Sequence, residues 1–319
     1  NAEAVLDNAY DIIVTSEING IDTLEFKLPF RDGKRIYLEN EKQVRIVSDT
    51  YRIRTVTDEK SEQGAAVTTI YAEAAFYDLG FSVKKEEATF NADTADVPMA
   101  YALKDTNWDL GTVNVSTKRT WTCQEKNALA ILRKVKDIHG GDLIFDNAKH
   151  VVKLVNFSGE DSGVLFCYKK NMKSIQRVID TTSLITRLYA YGKDGMTFAS
   201  INGGKEYVED TTYTSEIRVS TLDCSNFTNP YQMKEYTEMR LADYASPRIS
   251  YVLSAMDLSV LTGYEHESWK LGDVVTVMDD DLDFKFKTRI VRREYNLQEP
   301  WNTVLALATT LREVGDSHS

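Results

Sequence analysis

The sequence predicts a mainly β protein with α+β insertions: two related small β-barrel domains plus a helix–hairpin module. Three observations lead there. Period-two runs of apolar and β-branched residues fill both ends of the 319-residue chain, an amphipathic helix interrupts them, and one strand layout recurs near residues 43–72 and 273–308. At roughly 150 residues per domain, the length fits about two domains.

Between Tyr10 and Glu73, strands are expected at Asp11 to Ile18, Leu24 to Phe30, Gln43 to Ser48, Thr50 to Val56 and Ala66 to Ala72. Turns fall at Asn19-Gly20, Asp32-Gly33 and Gly64. These elements define a first barrel domain over residues 1–80.

The character changes over residues 81–175, an expected α+β insertion. Asp96 as N-cap and an early Pro98 open a short helix reaching Leu103. Thr122 and Glu125 read as a T-x-x-E capping box for a second helix, whose apolar face is Ala128, Leu129, Ile131, Leu132, Val135 and Ile138. Gly140-Gly141 stops it. Asp142 to Phe145 and Val151 to Phe157 then form a hairpin turning at Asp146-Asn147.

Strand character returns at Leu184 to Tyr191, long enough to complete the first barrel, so that domain is expected to be discontinuous and to close over about 176–205. Residues 206–319 form the second barrel domain. It includes a strand at Ile217 to Ser220 and a helical insertion near 230–246. Asn229-Pro230 opens that helix, Met233, Tyr236, Met239 and Ala242 share one side, and it ends before Pro247. Ile249 to Leu311 is again β.

The repeat supports two related barrels. Gln43 to Ser48, Tyr51 to Val56 and Val67 to Ala72 match Asp273 to Met278, Phe284 to Ile290 and Asn302 to Ala308 in layout. In the second copy Phe284, Phe286, Thr288 and Ile290 face one way and Lys285, Lys287 and Arg289 the other. Arg45, Arg52, Arg54, Lys285, Lys287 and Arg289 are therefore the candidate assembly surface, basic strips suited to an acidic neighbour. The plainer reading is a solvated outer face.

Composition excludes several classes. Lys plus Arg is 38 and Asp plus Glu is 49, a net charge of −11, so the chain lacks the cation excess of a general nucleic-acid binder. No apolar run exceeds five residues, whereas a membrane helix needs about 20. Cys123, Cys167 and Cys224 are odd in number and widely spaced, which fits free thiols in a reducing cytoplasm. The chain opens on Asn1 rather than an initiator Met, which reads as a processed or trimmed piece.

Catalytic and cofactor motifs are not found. His139, His150, His266 and His318 form neither H-x-H nor H-E-x-x-H. His139 is read as a cation favoured by a helix C-terminus. Ser162 in Gly159-Glu160-Asp161-Ser162-Gly163 lacks nucleophile-elbow spacing and is read as a turn serine. Asp279-Asp280-Asp281 with Asp283 fails as a calcium loop, since Phe284 stands where Gly is needed and Ile290 where the bidentate Glu belongs. Gly203-Gly204-Lys205 is a turn rather than a phosphate loop. No catalytic, cofactor or metal residue is assigned.

Three stretches together resemble the phage tail-associated, or prophage endopeptidase tail, family of baseplate-hub-like proteins. Trp269 to Val277, with Thr288 to Val291 and Pro300 to Val304, is similar to its C-terminal signature; Leu184 to Gly192 with Tyr207 to Asp210, to its middle segment; Gly64 to Leu79, to the end of its first barrel. The resemblance implies a homotrimer whose two barrels per chain make a pseudo-sixfold ring on the tail tube, at the virion tail tip, after synthesis in the host cytoplasm. The implied partners are distal tail, tail-tube, tape-measure and receptor-binding components, with DNA passing through unbound. No catalytic motif carries over to support the endopeptidase label. A cell-wall peptidase or glycosidase, and a carbohydrate-binding adhesin, are the alternative readings.

Overall fold

The computed structural model describes residues 4–308 except 47, 48, 61, 63, 86 and 283. The expected strand end at Val47-Ser48, the acidic Asp283 and His318 lie outside the described residues, as does the side chain of Phe284.

Five strands open the chain: β1 (Tyr10–Glu17), β2 (Asp22–Pro29), β3 (Gln43–Ile46), β4 (Asp49–Lys60) and β5 (Ala66–Ala74). The inserted α+β module follows, with β6 (Ala88–Asp93), α1 (Asp96–Leu103), β7 (Asp109–Val113), β8 (Arg119–Cys123), α2 (Ala128–His139), β9 (Asp142–Asp146) and β10 (Val151–Val155). After β11 (Asp161–Cys167) and β12 (Met172–Asp180) comes a second module of β13 (Arg187–Tyr191), β14 (Tyr207–Glu209), β15 (Val219–Asp223) and α3 (Pro230–Tyr244). β16 (Arg248–Ala255), β17 (Val274–Asp279), β18 (Phe284–Asn296) and β19 (Thr303–Ala308) complete the chain.

The fold is mainly β, and its two halves are topological copies. β1–β5 pair in the spatial order 1-2-5-4-3, and β12, β16, β17, β18 and β19 pair as 12-16-19-18-17, every neighbour antiparallel. Even the irregularities match. The β4–β5 ladder slips between Ile53 and Thr55, and the β18–β19 ladder slips between Ile290 and Arg292. With Ile53 set on Ile290 and Ala72 on Leu307, Arg52 falls on Arg289 and buried Thr68 on buried Thr303. The inward rows correspond too: Leu24, Phe26 and Leu28 of β2 match Tyr251, Leu253 and Ala255 of β16, all buried. Alternation puts these on one face, where their burial drives each unit together.

Two expectations need correction. Among the described residues the pairing traces an open path: β1 joins β18, fusing both units into one eleven-stranded sheet, and no closed barrel is present. Nor does the segment Leu184 to Tyr191 complete the first unit. Its strand β13 lies between β14 and β15 in a separate three-stranded sheet beside α3. A five-residue alternating strand carries no information on which sheet it joins.

Local details differ as well. α2 is capped by Asn127, whose side chain accepts from the Ala130 N–H, while Thr122 belongs to β8 and Glu125 accepts from Gln124 N. Ala95, not Asp96, is the N-cap of α1. On α3, capped by Asn229, the buried residues are Met233, Tyr236, Thr237 and Leu241; Met239 and Ala242 are exposed. Ser162 sits within β11 rather than a turn and donates to the Val274 carbonyl.

Candidate assembly surface

The six basic residues lie where strand alternation places them. On β18, Thr288 and Ile290 are buried and Phe286 half-buried, whereas Lys285 and Lys287 are exposed. Their charges have different fates, however, and most are used inside the chain.

Arg54 is largely covered and reaches three carboxylates: Glu41 and Glu73 at 3.0 Å each and Asp78 at 2.5 Å. Arg52 meets the same Asp78 at 2.9 Å. Asp78 sits in the 3-10 turn Ala75–Phe81 that leaves β5, so both guanidiniums clamp that turn onto β4. Arg45 is exposed on β3, opposite Thr50.

Arg289 does the corresponding job in the second unit. It pairs with Asp142 of β9, donates to the Ser158 carbonyl at 2.6 Å and hydroxyl at 2.7 Å and to Gly272 O at 2.9 Å, and lies over the Phe157 ring at 4.1 Å. Burial pushes the Asp142 carboxyl up, but Arg289 and two Ser158 hydrogen bonds outweigh it and hold it below the usual carboxylate range. The inserted module is thereby fastened to the second unit. Backbones touch closely here: a Cβ on Gly159, at φ +104°, would fall 2.2 Å from Gly272 O. The expected basic strip is thus interrupted at Arg52, Arg54 and Arg289. Lys287 contacts Asp161 at 2.5 Å with both side chains exposed, and Lys285 meets no carboxylate in ion-pair reach among the described residues.

Sequence reasoning missed the partners of these arginines. Glu41, Asp78, Asp142 and Ser158 have no motif, and only chain folding brings Asp142 to Arg289. It also misread His139. The imidazole is buried at the α2 C-terminus against Thr117, and burial lowers its pKa to about 4, so it is neutral rather than cationic. Cys123, Cys167 and Cys224 are free thiols; burial raises Cys123 and Cys224 to about 12, which makes them inert. The acidic run closes the β17–β18 hairpin, with Asp279 accepting from Leu282 N at 2.9 Å. Among the described residues no helix is long and apolar enough to cross a membrane.

A duplicated β sheet thus carries two α+β modules. The chain belongs to the prophage endopeptidase tail family, whose N-terminal domain matches residues 1–74, a second tail domain residues 82–152 and the tail domain proper residues 160–318. Its fold is similar to prophage tail protein gp18 of Listeria monocytogenes, with 19% identity over 97% of this chain and 92% of that one and a TM-score of 0.65. The 43 kDa tail protein of prophage MuSo2 from Shewanella oneidensis aligns over 93% of this chain and 92% of that one, at 12% identity and a TM-score of 0.68. An E. coli protein described as a type VI secretion component similar to the phage T4 tail proteins gp27 and gp5 aligns over 98% of this chain and 76% of that one, at 8% identity and a TM-score of 0.53. No curated protein matches the sequence.

Proposed function

We propose that this chain is a non-enzymatic hub at the tail tip. Three copies form a ring that caps the tail tube and links it to distal tail and receptor-binding components. The observation carrying this reading is the duplication: two units of identical strand order in one polypeptide let a threefold assembly present six similar faces to a sixfold tube. Each unit would roll against its neighbours to complete a barrel wall, with the tape measure and then DNA passing through a lumen whose acidic balance limits adhesion to phosphate. Arg45, Lys285 and Lys287 are the exposed members of the basic strip and would be the ones to face acidic neighbours.

Mass measurement at high concentration, alone and with tail-tube and distal-tail proteins, tests this. A threefold species supports it; a monomer under both conditions overturns it. The family label keeps one enzymatic alternative, a cell-wall peptidase. Incubation with peptidoglycan is expected to release no soluble fragments, and release abolished by changing a single carboxylate or hydroxyl would favour the enzyme.

A further inference from the structure

One lysine of the second unit makes a contact of a different chemical kind from the surface ion pairs. Lys27 meets Asp11, Lys170 meets Glu267 and Lys287 meets Asp161, each a carboxylate. Lys173 meets an amide instead. Its Nζ donates to Asn302 Oδ1 at 2.6 Å, across 129 positions of sequence, and Asn302 Nδ2 donates to Glu299 Oε2 at 2.6 Å. The two hydrogen bonds fix which way the amide faces, with its oxygen toward the lysine and its nitrogen toward the carboxylate.

Each member of this triad is held by backbone. Ala255 of β16 pairs with Met172 on one side and Thr303 on the other, so residues 173 and 302 flank one row of the sheet. The β12–β16 ladder slips between Met172 and Ser174, which makes Lys173 the extra residue of a bulge, a device that re-aims a side chain. Asn302 ends the 3-10 turn Pro300–Asn302 ahead of β19. Pro300 O accepts from Asp257 N and from the hydroxyl of fully buried Thr303, both at 3.1 Å, and Glu299 N donates to Asn296 Oδ1 at 3.1 Å.

We propose that Lys173 and Asn302 condense into an intramolecular isopeptide bond, with Glu299 moving the proton. The neutral amine attacks Cγ of Asn302 and the Nζ–Cγ bond forms. Glu299 takes a proton from Nζ and delivers it to Nδ2, the Cγ–Nδ2 bond breaks, and ammonia leaves. Glu299 ends as it began and nothing is oxidised or reduced, so no co-reactant is needed. Contact in a fixed geometry supplies the concentration the attack requires, about 10⁵ M or more for well-oriented pairs. All three side chains are exposed, so the site has no apolar shield to hold the amine neutral, and the bond forms slowly and faster in base.

The product ties the start of β12 to the turn before β19 and bypasses β16 between them. It also closes a covalent loop around β13, β14, β15 and α3, which restricts the unfolded chain as a long-loop disulfide does. The bond follows from the triad alone and holds whether or not three copies form a ring.

The test keeps the folded chain at about pH 9 for days, where more lysine is neutral, and follows it by mass spectrometry before and after digestion. The expected result is loss of one ammonia and a branched peptide joining residues 173 and 302, with the thermal midpoint raised by about 5 °C. Glu299→Gln should slow the reaction about 100-fold and Lys173→Arg should abolish it, both folding with the midpoint of the uncross-linked chain. Absence of the branched peptide overturns the proposal, as does conversion of Asn302 to aspartate in its place. Ammonia loss that persists in Lys173→Arg also overturns it, since an asparagine is then cyclising on its own backbone. A branched peptide formed as fast in Glu299→Gln overturns the proton-carrying role of Glu299.

Discussion

The first and second five-stranded units share strand order, bulge and inward residues, yet they attach their α+β modules at different points. In the first unit the module follows the last strand, β5; in the second it interrupts the chain between β12 and β16. Arg52 and Arg289 occupy equivalent places, and each grips an accessory element, the Asp78 turn in one case and the Asp142–Ser158 corner in the other. The duplicated framework has kept a charged anchor point while its cargo changed. Position in the sheet, rather than partner identity, is what the two halves have in common.

Removing Arg289 is the most severe way to break this comparison. Arg289→Ala leaves Asp142 buried without its cation and frees the module from the second unit, a loss of about 3 to 4 kcal/mol by the behaviour of covered ion pairs. Urea unfolding should show it, together with proteolytic cleavage near residues 156–160. A loss no greater than that of Arg52→Ala, whose Asp78 partner is more exposed and also held by Arg54, would deny the second anchor its larger role.

The same corner can be attacked through its backbone. Gly159→Ala combines a left-handed φ with a Cβ aimed at Gly272 O, so about 3 kcal/mol is expected from strain and forced separation. Gly163→Ala, also left-handed at φ +70° but with nothing near its Cβ, should cost about 1 kcal/mol. Equal costs would mean that the close approach of residues 159 and 272 is not a constraint.

How much of this was legible in the sequence follows from the range of each signal. Alternation and turn dipeptides mark the β3–β4–β5 and β17–β18–β19 meanders because neighbouring strands pair through short turns, and Asn229-Pro230 marks α3 because a cap acts within one helical turn. The β1–β18 junction and the Asp142–Arg289 pair join residues far apart in the chain, and nothing local in either segment names the other. The apparent Thr122–Glu125 capping box failed because both side chains were recruited elsewhere, Thr122 facing Thr89 across β6–β8. Charge pattern alone could not tell Lys287, which remains at the surface, from Arg289, which is clamped.

Acid titration separates the units more gently. Asp22, on β2, occupies the place of Ile249 in the second unit, and burial lifts its carboxyl to about 6 despite bonds from Tyr51 and Asn147. Its folded pKa lies above the unfolded value of about 3.9, so it costs stability above pH 6 and that cost disappears as pH falls toward 4. His139 acts in the opposite direction. Its folded pKa of about 4 lies below the unfolded value near 6.5, so its contribution is full above pH 6.5 and is lost on acidification through pH 4. Asp22→Asn should therefore raise stability at pH 8 by about 2 kcal/mol and steepen the net loss between pH 6 and 4, whereas His139→Gln should flatten it. Denaturant midpoints measured across that range decide it; no change of slope in Asp22→Asn would place its titration outside the folding equilibrium.

The smallest effect is expected at Lys287, two residues from Arg289 on the same edge of alternation. Lys287 and Asp161 are 58% and 51% exposed at their side chains, so water already solvates both charges and little is gained by their meeting. Lys287→Ala should leave the thermal midpoint within about 1 °C of the parent protein. Lys287→Glu should likewise fold normally, but it should weaken any salt-dependent association of the exposed basic strip with an acidic tail partner. If Lys287→Ala unfolds the chain as Arg289→Ala does, the distinction between a clamped and a solvated cation on this strand is wrong, and the strip cannot serve as a docking face.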